Sequence, residues 1–173
     1  SSDDRYLPGV LSLVVNTFRD QPEVGLVYGW YHVVRGDGTP TGHVGAYTAE
    51  GDAWPQFVLH NPVGTSATLV PRAVFEEVGG FAVNDELMRV DVEDWDLWLR
   101  LAERYKVVGI PDTLVYYRVH GAQMSANLEL MAAAMFAVMR KHVGPEEGDP
   151  AAWPKARQRA YSGRYLHLAV ELL

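Results

Sequence analysis

Residues 92–119 read VEDWDLWLRLAERYKVVGIPDTLVYYRV, and the pattern changes character half-way. With Glu93 set at 0° and about 100° allowed per residue, Trp95, Trp98, Leu99 and Ala102 gather on one face of a helix over Val92–Tyr105. Asp96, Arg100, Glu103 and Arg104 fall opposite, on the face expected to be wet, and Asp96 and Arg100 are spaced as an i,i+4 pair. After Lys106 the residues turn β-branched and aromatic, which predicts short strands over 107–109 and 114–118. A helix that runs directly into strands is a building block of an α/β domain.

Upstream, Val24–Val34 has the composition of a strand, and Gly36-Asp37-Gly38 that of a turn. Leu11, Val14, Val15 and Phe18 predict an amphipathic helix over 8–19, with Pro8 in its first turn and a break at Gln21-Pro22. Residues 39–50 carry a weak pattern, read as loop with a second short strand. Asp52–His60 predicts a short helix stopped by Asn61-Pro62. Ser66–Val70 predicts a strand, Arg72–Val78 a helix closed by Gly79 and Gly80, and 82–90 a polar loop. Downstream come a helix over Ala126–Lys141, a linker over 144–153, and a last helix from Pro154 with no stop signal by Leu173. The expected fold class is therefore α/β, a mixed sheet flanked by helices with a C-terminal helical extension. Acidic residues open the chain where an α/β domain has a buried strand behind it, so a preceding segment is expected.

The chain has 173 residues, 15 basic and 22 acidic, for a net charge of −7. That balance argues against a nucleic-acid scaffold held by phosphate contacts. Phosphate binding stays open, because a metal ion supplies positive charge locally. The absence of cysteine excludes disulfides, thiolate metal sites and thiol nucleophiles. No apolar run approaches the roughly 18–20 residues of a membrane span, so a cytoplasmic protein is expected.

Asp94 falls at the edge of the apolar stripe, beside Trp98 and Leu101. Desolvation there would raise its pKa, as a general base requires. Equally, Glu93 and Asp94 suit the positive end of a helix, at about 0.3–1 kcal/mol each, and Asp91 with Asp94 makes a variant capping box. Asp3 and Asp4 fit a solvated loop, while Arg118 and His120 alternate at strand spacing and share a side. Two carboxylates and a neutral imidazole suit Mn²⁺ or Mg²⁺, with substrate phosphate oxygens completing the shell. Trp30, Tyr31, Trp54 and Trp95 are candidates either to stack on sugars or to pack in the core.

Taken in chain order, SSDD with RYLPGVL, then NPVGTSATLVPRAVFEEVGGF, EDWDLWLRLA and YRVH, these segments resemble the C-terminal part of an inverting family 2 glycosyltransferase with the GT-A fold. The resemblance covers about residues 1–125. It implies an incomplete GT-A-like sheet, lacking the half that holds the nucleotide, and transfer of a sugar from a nucleotide-sugar donor to a glycan or other hydroxyl acceptor. By the same resemblance Asp94 matches the catalytic base and Glu93 its neighbour. Asp3 matches the last acid of a DxD element, Asp4 the acid that follows, and His120 a histidine near the metal and diphosphate. Gly79, Gly80 and Phe81 resemble a turn beside the sugar and acceptor pocket, with Trp95 and Arg118 as further substrate-binding candidates. Ser1 departs from the pattern by standing where the first acid belongs, and Ala82 by standing where an acid usually follows the turn.

The implied cofactor is a divalent cation, Mn or Mg, weakly held without the nucleotide, and the isolated chain is expected to be inactive. Missing strands would leave an apolar edge, so a homo-oligomer is expected. A rival of another class is a non-catalytic binding or assembly module that keeps part of the fold. A hydrolase with paired carboxylates is disfavoured, because Glu93 and Asp94 splay about 100° apart and cannot flank one glycosidic bond.

Overall fold

In the computed structural model the chain runs β1 (Arg5–Tyr6), α1 (Val10–Asp20), β2 (Val24–Arg35), β3 (Pro40–Gly45) and α2 (Trp54–Phe57). It continues through β4 (Thr68–Leu69), α3 (Arg72–Glu77), α4 (Glu93–Ala102), β5 (Lys106–Val119), α5 (Leu128–Val143) and α6 (Lys155–Glu171). Single 3₁₀ turns lie at Thr65–Ala67 and Pro150–Ala152. The structure describes residues 3–61, 63–82, 92–120 and 128–171. Most of the polar loop expected over 82–90 lies outside them, as do Ser1, Asp91 and the first residues of the helix expected from Ala126.

The chain divides into two compact units, one of residues 1–53, 62–80 and 100–123, the other of 54–61, 81–99 and 124–173. The first unit holds a five-stranded mixed sheet of order β1-β5-β2-β3, with β4 also paired to β2. β2 is its axis: β5 runs parallel along one side, while β4 and then β3 pair antiparallel with it. This is the mixed α/β fold expected from the alternation of patterns, and it is consistent with a GT-A-like sheet. Val10 and Val14 of α1 pack with Val24, Val27, Ala67, Leu114 and Val115 to form the core of the unit. Leu11 and Val15, expected on the buried face of that helix, are instead exposed. The helix starts at Val10, after Gly9 in the left-handed region at φ 84°, and packs along Val10, Val14 and Phe18 at four-residue spacing.

The two strands expected over 107–109 and 114–118 form one strand with an irregular middle. Gly29 pairs with Ile110, Trp30 with Thr113 and Tyr31 with Val115, so β5 carries three residues more than β2 across this stretch. Pro111, which has no N–H for the ladder, lies in that excess. Asp112 accepts a hydrogen bond from the Thr113 amide at 2.7 Å. β1, which the sequence reading missed, pairs Arg5 with Tyr116 and Tyr6 with Val115. Two residues are too few for a period to register.

The second unit is helical. Its buried side chains include Phe57, Val58, Trp95, Leu97, Trp98, Leu99, Val138, Met139 and Tyr161. The stretch expected as a linker, 144–153, is bonded to α6: the Tyr161 hydroxyl donates to the Gly144 carbonyl at 3.0 Å. Within the stretch, Trp153 Nε1 donates to the Glu147 carbonyl at 2.7 Å. Among the described residues no helix is long and apolar enough to cross a membrane.

Candidate active site

In the sheet unit, the antiparallel register of β1 on β5 carries the chain from Arg5 back towards Arg118 and His120. Asp3 and His120 accordingly meet, with Asp3 Oδ2 3.3 Å from His120 Nε2 and both side chains partly exposed. Two neighbouring ligands of an octahedral ion with bonds of about 2.1 Å stand roughly 3.0 Å apart, so this spacing accommodates a cation. Asp4 is differently engaged. Its Oδ2 accepts from the Ser66 hydroxyl, and its Oδ1 from the Arg118 backbone N–H at 2.7 Å. Burial first, and the Asp4 charge second, push the neighbouring Tyr6 phenol up. Among the described residues no group of three His, Cys, Asp or Glu side chains is arranged to hold a metal ion.

Arg118, expected among the substrate-binding residues, spends its donors on the chain itself. Its Nη1 donates to the carbonyls of Gly36 and Arg35 at 2.6 and 3.2 Å, and its Nε to that of Asp3 at 3.2 Å. It ties the N-terminal segment, the turn after β2 and the end of β5 together, and so positions Asp3. Gly79 and Gly80 have positive φ of 87° and 64°, where a Cβ is strained. A Cβ at Gly80 would also come within 3.1 Å of the Phe75 ring. Arg100 closes this turn by donating to the carbonyls of Val78 and Gly80 at 2.5 and 2.6 Å. Phe81, which follows, is 38% exposed.

In the helical unit α4 opens with Glu93, Asp94 and Asp96 in its first turn. Asp94 is buried, at 8% exposure. Its Oδ1 accepts from the Trp95 backbone N–H at 2.5 Å and from the Asn61 amide at 3.1 Å. Glu93 is half-buried beside it. Trp95 corrects an expectation: it is wholly buried, its indole N–H donates to the Phe57 carbonyl at 2.7 Å, and it offers no surface to a ligand. Asp96 corrects another. The helical wheel puts it on the wet face, yet it is fully buried and meets Lys141 Nζ at 2.6 Å and His142 Nε2 at 2.9 Å. Both partners come from α5, an element the wheel of α4 cannot register.

Sequence reasoning missed three residues that hold this chemistry in place: Asn61 on Asp94, Ser66 on Asp4 and Arg100 on the glycine turn. The Asn61-Pro62 pair signalled only a helix stop, and nothing local marks the other two.

The family described as glycosyltransferase like family 2 matches residues 2–170, nearly the whole chain. The chain therefore belongs to this family, whose work is glycosyl transfer. No curated protein matches it as a relative.

Proposed function

We propose that this chain serves the transfer of a sugar from a nucleotide-sugar donor to an acceptor hydroxyl, by a single displacement that inverts the anomeric carbon. The observation that carries the reading is the Asp94 carboxylate, buried at the first turn of α4 and fixed by the Asn61 amide. A base must be held in one orientation to take the acceptor proton as the hydroxyl attacks. Glu93 adjoins it on the same turn, and Gly80 and Phe81 form part of the substrate surface.

Asp3 and His120 fit a divalent cation: an oxygen and a nitrogen ligand converge, with room for donor phosphates in the rest of the shell. Such an ion, when bound, neutralises charge on the departing diphosphate. Asp4 and Arg118 support the reading as positioning residues, since both hold the segment that bears Asp3.

In the active enzyme, Asp94→Asn should lower turnover by at least about 100-fold, since general base catalysis typically supplies 10²–10⁴. KM should change little, and the anomeric configuration of the wild-type product, read by NMR, should be opposite to the donor's. Near-normal turnover in Asp94→Asn with a crippled Glu93→Gln would move the base to Glu93. Near-normal turnover in both would favour a non-catalytic module.

A further inference from the structure

Helix α6 carries a positive charge into the interior of the helical unit. Arg164 is 3% exposed, and its Nε and Nη2 are buried with no hydrogen-bond partner. None of the ion pairs among the described residues engages it. Its Cζ lies 5.1 Å from the centroid of the Trp95 ring, a contact that steadies a cation but leaves the Nε and Nη2 donors unfilled. Burial lowers its pKa, but an arginine so shifted still carries its charge at neutral pH.

Arg164 lines a cavity of about 410 Å³ together with Leu59, His60, Asn61, Met135 and Gly163. That volume is in the range of small-molecule sites, and Leu59 and Met135 supply apolar wall. Asn61 is the residue whose amide holds Asp94, so the cavity shares a wall with the candidate base. A buried guanidinium without an anion is costly, and its planar fork matches the paired oxygens of a carboxylate or a phosphate.

We propose that this cavity receives an anionic group, a carboxylate or a phosphate, carried by the acceptor substrate, with Arg164 as its counter-charge. The acceptor assignment rests on the reading of Asp94 as base. In an inverting displacement the activated nucleophile enters on the face opposite the leaving group. A cavity walled by the residue that holds the base therefore belongs to the acceptor side.

The test is a thermal melt of the chain with inorganic phosphate or acetate, at ionic strength matched with chloride. A saturable rise in Tm beyond the chloride control is expected for at least one of them, and the larger rise names the group. Arg164→Met, which keeps the volume without the charge, should weaken that anion at least about tenfold. If this variant does not fold, Arg164→Lys, with charge but no fork, should weaken the anion several-fold. No saturable rise in the wild type, or an unchanged rise in the variant that folds, would overturn the proposal.

Excess nucleoside diphosphate with Mg²⁺ should leave the response in place, whereas competition would assign the cavity to the donor and overturn the acceptor role. Asp94→Asn should retain the anion response. A fully active Asp94→Asn that still binds the anion would sink the base reading and leave the anion cavity standing. An inactive Asp94→Asn in a chain without an anion response would do the reverse.

Discussion

The two acidic segments of the chain use neighbouring carboxylates in the same divided way, in opposite surroundings. At the sheet edge Asp4 is tied to Ser66 and to the backbone of Arg118, while Asp3 faces His120 in a partly exposed setting. On α4, Asp96 is buried against Lys141 and His142, while Asp94 is fixed at the first turn by Asn61. In each segment one acid is tied into the structure, and the proposed function gives the other the chemistry. The difference is what fixes them. At the strand edge the structural acid, Asp4, takes a backbone N–H of β5 and one hydroxyl, whereas Asp96 in the helical unit is held by two cationic or imidazole side chains from another helix.

The largest expected effects separate the α4 acids. Asp96→Ala should cost about 2–3 kcal/mol in urea unfolding: it strands the buried His142 partner, while the half-exposed Lys141 can rehydrate. Asp94→Asn, for which the proposed function expects a loss of turnover, should unfold within about 1 kcal/mol of the wild type, because an amide still offers an oxygen to the Asn61 donor. Equal destabilisation by both would abolish the division of labour.

A smaller contrast is expected at the sheet edge. Asp4→Ala should lower stability by about 1–2 kcal/mol through its two lost hydrogen bonds. Asp3→Ala should shift the melt by less than about 1 kcal/mol, as a partly exposed pair allows, yet remove metal-dependent activity in the active enzyme. His120→Ala should only weaken that activity. If Asp4→Ala proved as stable as the wild type and lost the metal response, the roles of the two acids would be exchanged.

The smallest effect probes how closed the sheet interior is. Tyr28 is 1% exposed, and its hydroxyl donates to the Ala49 carbonyl at 2.7 Å. Burial, then the nearby Tyr47, hold its phenol well above the usual value of 10.0. The stability tied to this proton is complete below about pH 10 and is lost as pH rises, by up to about 1.4 kcal/mol per pH unit, because the unfolded phenol ionises first. Tyr28→Phe should flatten that alkaline decline. An unchanged slope would mean that the phenol ionises in the folded state as readily as in the unfolded one.

The sequence discloses most where a period extends over several turns or residues. The α4 stripe of Trp95, Trp98, Leu99 and Ala102 is buried as its spacing predicts, and Val24–Arg35 forms the central strand. It discloses least where a second element decides. Asp96 is polar-faced on its own helix, and only α5 makes it interior. Trp95 is a candidate for stacking or for the core, and its burial with a hydrogen bond to the distant Phe57 carbonyl, which no local pattern registers, sets it in the core. Arg164 lies in a helix of low amphipathicity, where no pattern separates a solvated arginine from a buried one. Asp3 and His120 are 117 positions apart, and only the β1–β5 register brings them together.

The irregular middle of β5 bears on how such a chain can change over generations. Ile110 and Val115 are an odd number of positions apart, yet they pair with Gly29 and Tyr31, which lie on one side of β2. The segment between them therefore acts as a metering spacer whose length sets the phase of everything downstream. If the slack of that segment did not absorb it, removing one residue there would shift Arg118 relative to the carbonyls of Asp3, Arg35 and Gly36, and His120 relative to Asp3. Substituting the exposed Asp112 would leave that phase intact. At this point the count of residues matters more to the ladder than their identity, so a single-residue deletion is expected to be tolerated less well than a substitution.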